Sequence, residues 1–167
     1  MEKNYKKIIL WLGIFLVLII ILFVIYFLFF NKVSFLKYSD NEFKFNYGTS
    51  FKVSKKKGVY TISEKDGAAK IVINISDNEL GMDYDSNKNR AISISDDLVG
   101  DGYNKDSFNC LDHICMSVYE NDDKHITIAV EFNEENVFTY ELICDKKDSE
   151  KYNDDFDLII NSFVKMK

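Results

Sequence analysis

Residues 114–144, ICMSVYENDDKHITIAVEFNEENVFTYELIC, decide the fold. Ile114, Met116 and Val118 recur at every second position, as do Ile126, Ile128, Val130 and Phe132, and then Phe138, Tyr140 and Leu142. Successive side chains of a strand point to opposite faces, so this period of two marks three strands that each bury one face. Asn121-Asp122-Asp123 and the stretch from Asn133 to Asn136 separate them, rich in residues that close turns. Three consecutive strands with short joints form an antiparallel meander.

The same period extends upstream. Phe43, Phe45 and Tyr47 alternate with Lys44 and Asn46, and Gly48 ends the run. A short segment around Phe51 and Val53 follows, and Lys55-Lys56-Lys57-Gly58 reads as a turn. Val59 to Glu64 and Lys70 to Ser76 then form a hairpin about Lys65-Asp66-Gly67, in which the Asp-Gly pair favours reversal. Between Asp77 and Asn104 the pattern is mixed: Ala91, Ile94 and Leu98 fit one helical face, Ile92 and Ile94 fit a strand, and Gly102 closes either. A short helix is the preferred reading. Downstream, Tyr152, Phe156, Ile159, Ile160 and Phe163 form one helical stripe, which predicts a C-terminal helix covering the sheet. Asp148 or Ser149 caps its start, and Lys165 and Lys167 suit the negative end of its dipole. The expected class is α+β, an antiparallel sheet covered by helices.

The N-terminus is of another kind. Residues 8–30 run without a charge or a Pro and with Gly13 as the one glycine. As a helix they reach about 34 Å, enough to cross a hydrocarbon core of about 30 Å. Lys3, Lys6 and Lys7 precede the run, so residues 1–7 are expected in the cytoplasm and residues 31–167 outside. The run is longer than a signal-peptide core, and Phe-Leu-Phe-Phe-Asn-Lys at its end lacks a small-residue cleavage pattern. The first 30 residues carry three Lys and one Glu, so the chain's net charge of −6 becomes −8 for the remainder. An acidic exterior of that kind disfavours nucleic acid as a partner.

Two stretches carry a likeness. YSDNEFKFNYGTSFKV (38–53) and FDLIINSFVK (156–165) frame the outer part of the chain. Their order resembles the PsbP-like family, known from an extrinsic subunit of the photosynthetic oxygen-evolving complex and a Ran-binding nuclear import factor. Tyr47, Phe51, Val53, Ser162 and Phe163 stand where that family has an aromatic strand, a following aromatic-hydrophobic pair and a helix closing on Ser-Phe. Gly48 departs from the pattern, because the family usually has Pro there, and no stretch from Asp77 to Phe108 takes part. The likeness spans residues 36–166. It implies an antiparallel sheet with helices, often tethered outside the cell in bacterial relatives, and a role in binding a protein partner. No shared reaction is implied.

Reactive groups are few. Cys110 and Cys115 flank Leu111-Asp112-His113-Ile114 and are the candidate disulfide, closing a small loop before the meander. A bridge between Cys115 and Cys144, or free thiols, are the alternatives. Cys110, His113, Cys115 and Cys144 have the composition of a zinc site without the spacing of a known ribbon or finger. Asp77, Glu79, Asp83, Asp85, Asp96 and Asp97 suggest calcium, yet Lys88 and Ile94 fall where an EF-hand needs Gly and Glu. No catalytic signature is found, so neither catalytic residues nor a cofactor is assigned. The expected function is that of a single-pass, membrane-anchored extracytoplasmic binding or accessory protein, with residues 8–30 in the membrane and a protein as partner. A metal-dependent or thiol-based module using the acidic region or the Cys cluster is the alternative.

Overall fold

Residues 16–17, 19–20, 35–79 and 81–166 are described by the computed structural model. The expected cytoplasmic segment 1–7 and spanning helix 8–30 lie outside them, except for Leu16, Val17, Ile19 and Ile20, which are helical. Among the described residues no helix is long and apolar enough to cross a membrane. Contacts divide the chain into two units, Met1–Ser34 and Phe35–Lys167, and the second holds everything that follows.

Ten strands and two α-helices make up this unit. β1 (Phe35–Ser39), β2 (Phe43–Gly48), β3 (Phe51–Lys56), β4 (Val59–Glu64) and β5 (Ala69–Asp77) lead to α1 (Tyr84–Val99). β6 (Asn104–Leu111), β7 (Ile114–Glu120), β8 (Lys124–Phe132) and β9 (Asn136–Asp145) lead through a 3-10 turn to α2 (Ser149–Ser162) and β10 (Val164–Lys165). A seven-stranded antiparallel sheet runs β3-β4-β5-β9-β8-β7-β6, and a three-stranded one runs β1-β2-β10. The large sheet thus joins two meanders: α1 carries the chain from the middle of the sheet to its far edge, and β6–β9 return to pair with β5.

Turn chemistry explains the joints. Lys57 and Gly58 both have positive φ, 51° and 82°, as a two-residue hairpin turn matched to strand twist requires. β3 therefore continues through Lys56, and the expected four-residue turn shrinks to two. Asn121 Oδ1 accepts the N–H groups of Asp123 and Lys124, and Asn133 Oδ1 accepts those of Glu135 and Asn136, which closes the two joints of the meander. The helix between Asp77 and Asn104 is present, and at 16 residues it is not short. Asp83 caps it by accepting the Ser86 N–H at 3.1 Å, and Gly100 ends it, two residues before the expected break at Gly102.

The two helices lie on opposite faces of the large sheet. On β8, Ile126, Ile128, Val130 and Phe132 share a cluster with Ala91 of α1, while Ala129 belongs to the cluster holding Tyr152, Phe156 and Ile159 of α2. Adjacent positions of a strand face opposite ways, so β8 is covered on both sides and is buried almost throughout. Leu98, placed on the buried face of α1 by its spacing, is exposed; Asn87, Ala91 and Ser95 line that face instead. The other cover is not helical alone, because the small sheet lies beside α2, an arrangement that alternation along single strands does not reveal.

Phe163 and Asp40 fasten the small sheet to the large one. The Phe163 ring stacks on Phe43 and Phe45 at 5.0 and 5.5 Å between centroids and meets Tyr60, Phe138 and Tyr140 edge-on at 5.7 to 6.0 Å. Ser162 Oγ accepts the Asn46 N–H at 2.8 Å, which continues the edge of β2 into α2. Asp40 receives the N–H groups of Glu42 and Phe43 at 2.8 Å, the Tyr60 hydroxyl at 2.9 Å and the Lys55 ammonium at 2.9 Å. Gly48 faces the Asp155 carboxyl, into which a Cβ would run.

The end of α2 differs from expectation. Asp148 sits at the N-cap without a side-chain hydrogen bond, and no basic residue lies in the last turn, because the helix stops at Ser162 and Lys165 belongs to β10, where it pairs with Glu135. Lys167 lies outside the described residues.

Two measurements test the fastening. Phe163→Ala should destabilise the unit by about 3 kcal/mol, the usual cost of removing a packed ring, read as a lower Tm of the full chain. Burial works against charge on Asp40, but the Phe43 and Glu42 N–H groups, Lys55 and Tyr60 outweigh it and hold its carboxyl far below the ordinary range. Its stabilising share is therefore complete above the ordinary pKa near 4 and is lost as pH falls toward the folded value. Asp40→Asn should lower Tm at pH 7 and flatten the fall of Tm between pH 5 and pH 2; an unchanged slope would exclude Asp40 as a source of acid sensitivity.

Candidate functional site

Cys110 and Cys115 do not close a loose loop. They face each other across β6 and β7, with Cα atoms 4.0 Å apart, two positions from the tip of a hairpin whose turn is Asp112-His113. β6 thus makes the meander four strands long, a strand that no alternation announces because Asn104 to Leu111 offers only Phe108, Cys110 and Leu111 as apolar positions. Asp112 takes positive φ, 52°, a conformation Asp tolerates at small cost. The structure joins the two sulfurs, with Cys115 buried under α1 and Cys110 half-buried.

A pocket opens beside this turn. Met82 just before α1, Asn87 and Lys88 in its first turns, Asp112, His113 and Cys115 from the hairpin, and Phe132 from the end of β8 line a pocket of about 200 Å³. One hydrogen bond fixes its hairpin wall, His113 O accepting the Phe132 N–H at 2.9 Å, and the His113 ring lies 3.6 Å from the Glu131 carboxylate. The helix wall is held by amides. Asn78 Nδ2 donates to Gly81 O at 2.8 Å and Asn133 O at 2.6 Å, Arg90 donates to Asn78 Oδ1 at 3.0 Å, and Asn87 Nδ2 donates to Gly81 O at 3.2 Å. Asn87 Oδ1 is buried and accepts nothing. No sequence motif marks this pocket, since its walls come from segments brought together by the crossover of α1.

The other reactive residues are kept apart or engaged. Cys144 lies opposite His125 on β8, whereas Cys115 lies in the row of Val130 and Thr139. Those rows are five residues apart, roughly 17 Å along the strands, and an odd separation puts the two thiols on opposite faces. Cys110, His113, Cys115 and Cys144 therefore do not converge. Burial pushes the Cys144 thiol up to about 11, which leaves it protonated and unreactive. The His125 ring is clamped between Glu120 at 2.9 Å and Thr127 at 2.8 Å and does not point a nitrogen at that thiol.

The acidic residues of the central region are also dispersed. Asp77 ends β5, Asp83 caps α1, Asp85 is in its first turn, and Asp96 and Asp97 lie at its far end, roughly 20 Å from the cap. Asp96 is bound by Lys105 at 2.6 Å and by the Tyr119 hydroxyl at 2.5 Å, which together lower its pKa. Among the described residues no three His, Cys, Asp or Glu side chains come together in a way that could hold a metal ion.

Comparison with known proteins places the fold. No family model matches the chain, and no curated protein matches it. Among solved structures it is similar to cyanobacterial PsbP (CyanoP) from Synechocystis, with a TM-score of 0.57 and 18% identity over 80% of this chain and 94% of that one. It is also similar to a structure from Bacteroides thetaiotaomicron, with a TM-score of 0.50 and 10% identity over 75% of this chain and 45% of that one. The fold is PsbP-like. Residues 36–166, over which the sequence resembles the family, nearly coincide with the unit Phe35–Lys167.

The cysteine arrangement can be counted directly. Denatured without reductant, the full chain should take one maleimide, on Cys144, and three after reduction; mass spectrometry giving three adducts in both cases would exclude the Cys110–Cys115 bond.

Proposed function

We propose that this chain is a single-pass membrane protein whose residues 31–167 lie outside the cytoplasm, where the PsbP-like domain binds another protein as an accessory subunit and catalyses nothing. The observation that carries the reading is the PsbP-like fold itself, since that fold generally serves non-catalytic accessory proteins. Three further points support it. The free thiol of Cys144 is buried and protonated, its neighbour His125 is held by Glu120 and Thr127, and Cys110 and Cys115 occupy each other. The net charge of −8 beyond residue 30 favours a protein partner over nucleic acid. The apolar run 8–30 and the preceding lysines favour an anchor with residues 1–7 inside.

The metal-dependent or thiol-based alternative has less behind it, because neither the Cys set nor the acidic set converges. A disulfide at Cys110 and Cys115 also agrees with an oxidising compartment, which is what an outward orientation provides.

A photoreactive residue at position 111 tests the partner. Leu111 is 70% exposed, the most exposed large apolar side chain among the described residues. Crosslinking the full-length protein in native membranes should yield one protein in near-equal amount; recovery of nothing specific sinks the accessory reading. Orientation has its own test. A membrane-impermeant amine reagent applied to intact cells should modify lysines between 37 and 165, and their protection would place the domain inside.

A further inference from the structure

We infer that the pocket between the Asp112-His113 turn and the start of α1 binds a small zwitterion with an apolar side chain, of the class of free apolar α-amino acids. Its size limits the ligand first. About 200 Å³ is less than the roughly 300–1,000 Å³ typical of sites for drug-sized molecules, so the occupant is small.

The lining sets its chemistry. Phe132, Met82 and the Cys115 half-cystine supply apolar surface, which an aliphatic or aromatic side chain covers. Lys88 and Asp112 stand on opposite walls, one on the helix and one on the turn. Neither pairs with an opposite charge among the described residues. A simple cation would meet Lys88 as a like charge, and a simple anion would meet Asp112 so. A molecule bearing both an ammonium and a carboxylate satisfies the two walls together.

The site is built on firm ground. Cys115 is tied to Cys110, the turn is bonded to β8 through His113 O, and the helix start is capped by Asp83 and braced by Asn78. Such a wall loses little freedom when a ligand enters. The inference is separate from the partner reading and stands or falls without it.

Calorimetry on the full-length protein in nanodiscs of neutral lipid, with L-leucine as probe, tests it. Saturable binding in the millimolar range is expected, weakened in N-acetyl-L-leucine, which lacks the ammonium, and in L-leucinamide, which lacks the carboxylate. Lys88→Gln and Asp112→Asn should each weaken L-leucine about fivefold, as expected for an exposed ion pair. Both variants should keep the parent Tm, since neither charge has a partner to lose and Asn accepts the positive φ at position 112. Absence of saturable heat with both L-leucine and L-phenylalanine overturns the proposal. So does L-leucine binding that is indifferent to both substitutions.

Discussion

Phe163 is the point on which the two sheets and α2 depend. It follows the last residue of α2 and precedes β10, so its backbone belongs to neither, yet its ring touches β2 through Phe43 and Phe45, β4 through Tyr60 and β9 through Phe138 and Tyr140. A ring shared by five others fixes the separation of the layers and the direction in which the helix arrives. Ser162 supplies the polar half of the same junction by taking a β2 N–H that the short β10 cannot reach. The Ser-Phe pair that closes the family's helix thus has a physical meaning in this chain: one residue completes a strand edge and the other completes a core.

Polar pins work at the opposite ends of this layer. Asp40 gathers two backbone N–H groups, a hydroxyl and an ammonium where the β1–β2 turn meets β3 and β4. Glu64, on β4, takes the Tyr152 hydroxyl at 2.5 Å and the Lys151 ammonium at 3.1 Å, bonds that lower its pKa against the opposing effect of burial. Charges so placed act by direction more than by strength, since each admits one register of the covering layer and leaves a buried group unsatisfied in any other. The Gly48–Asp155 approach adds a steric version of the same constraint.

Coverage on opposite faces of opposite halves also shapes what is left for function. Where α1 rests on β7 and β8 it leaves the end near the Asp112-His113 turn unfilled, and the pocket lies there. At the far end of α1 the Asp96–Lys105–Tyr119 group ties helix to sheet.

The chain by itself determined every element whose side chains alternate strongly or repeat along a helical face. β2 through β5, β7 through β9 and α2 are legible because burial of one face imposes a period that local reading detects. The Asn-led turns were legible because a side-chain amide closes them without outside help. Tertiary structure decided the rest. β6 carries too few apolar residues to announce itself and exists because β7 offers it an edge; β1 and β10 likewise owe their pairing to β2. The division into two sheets, and the choice of Asn87, Ala91 and Ser95 over Leu98 as the inward face of α1, follow from which surface lies opposite, a fact absent from any single segment. The pocket belongs to that second kind, since its walls lie up to fifty residues apart in sequence and meet only when α1 crosses the sheet.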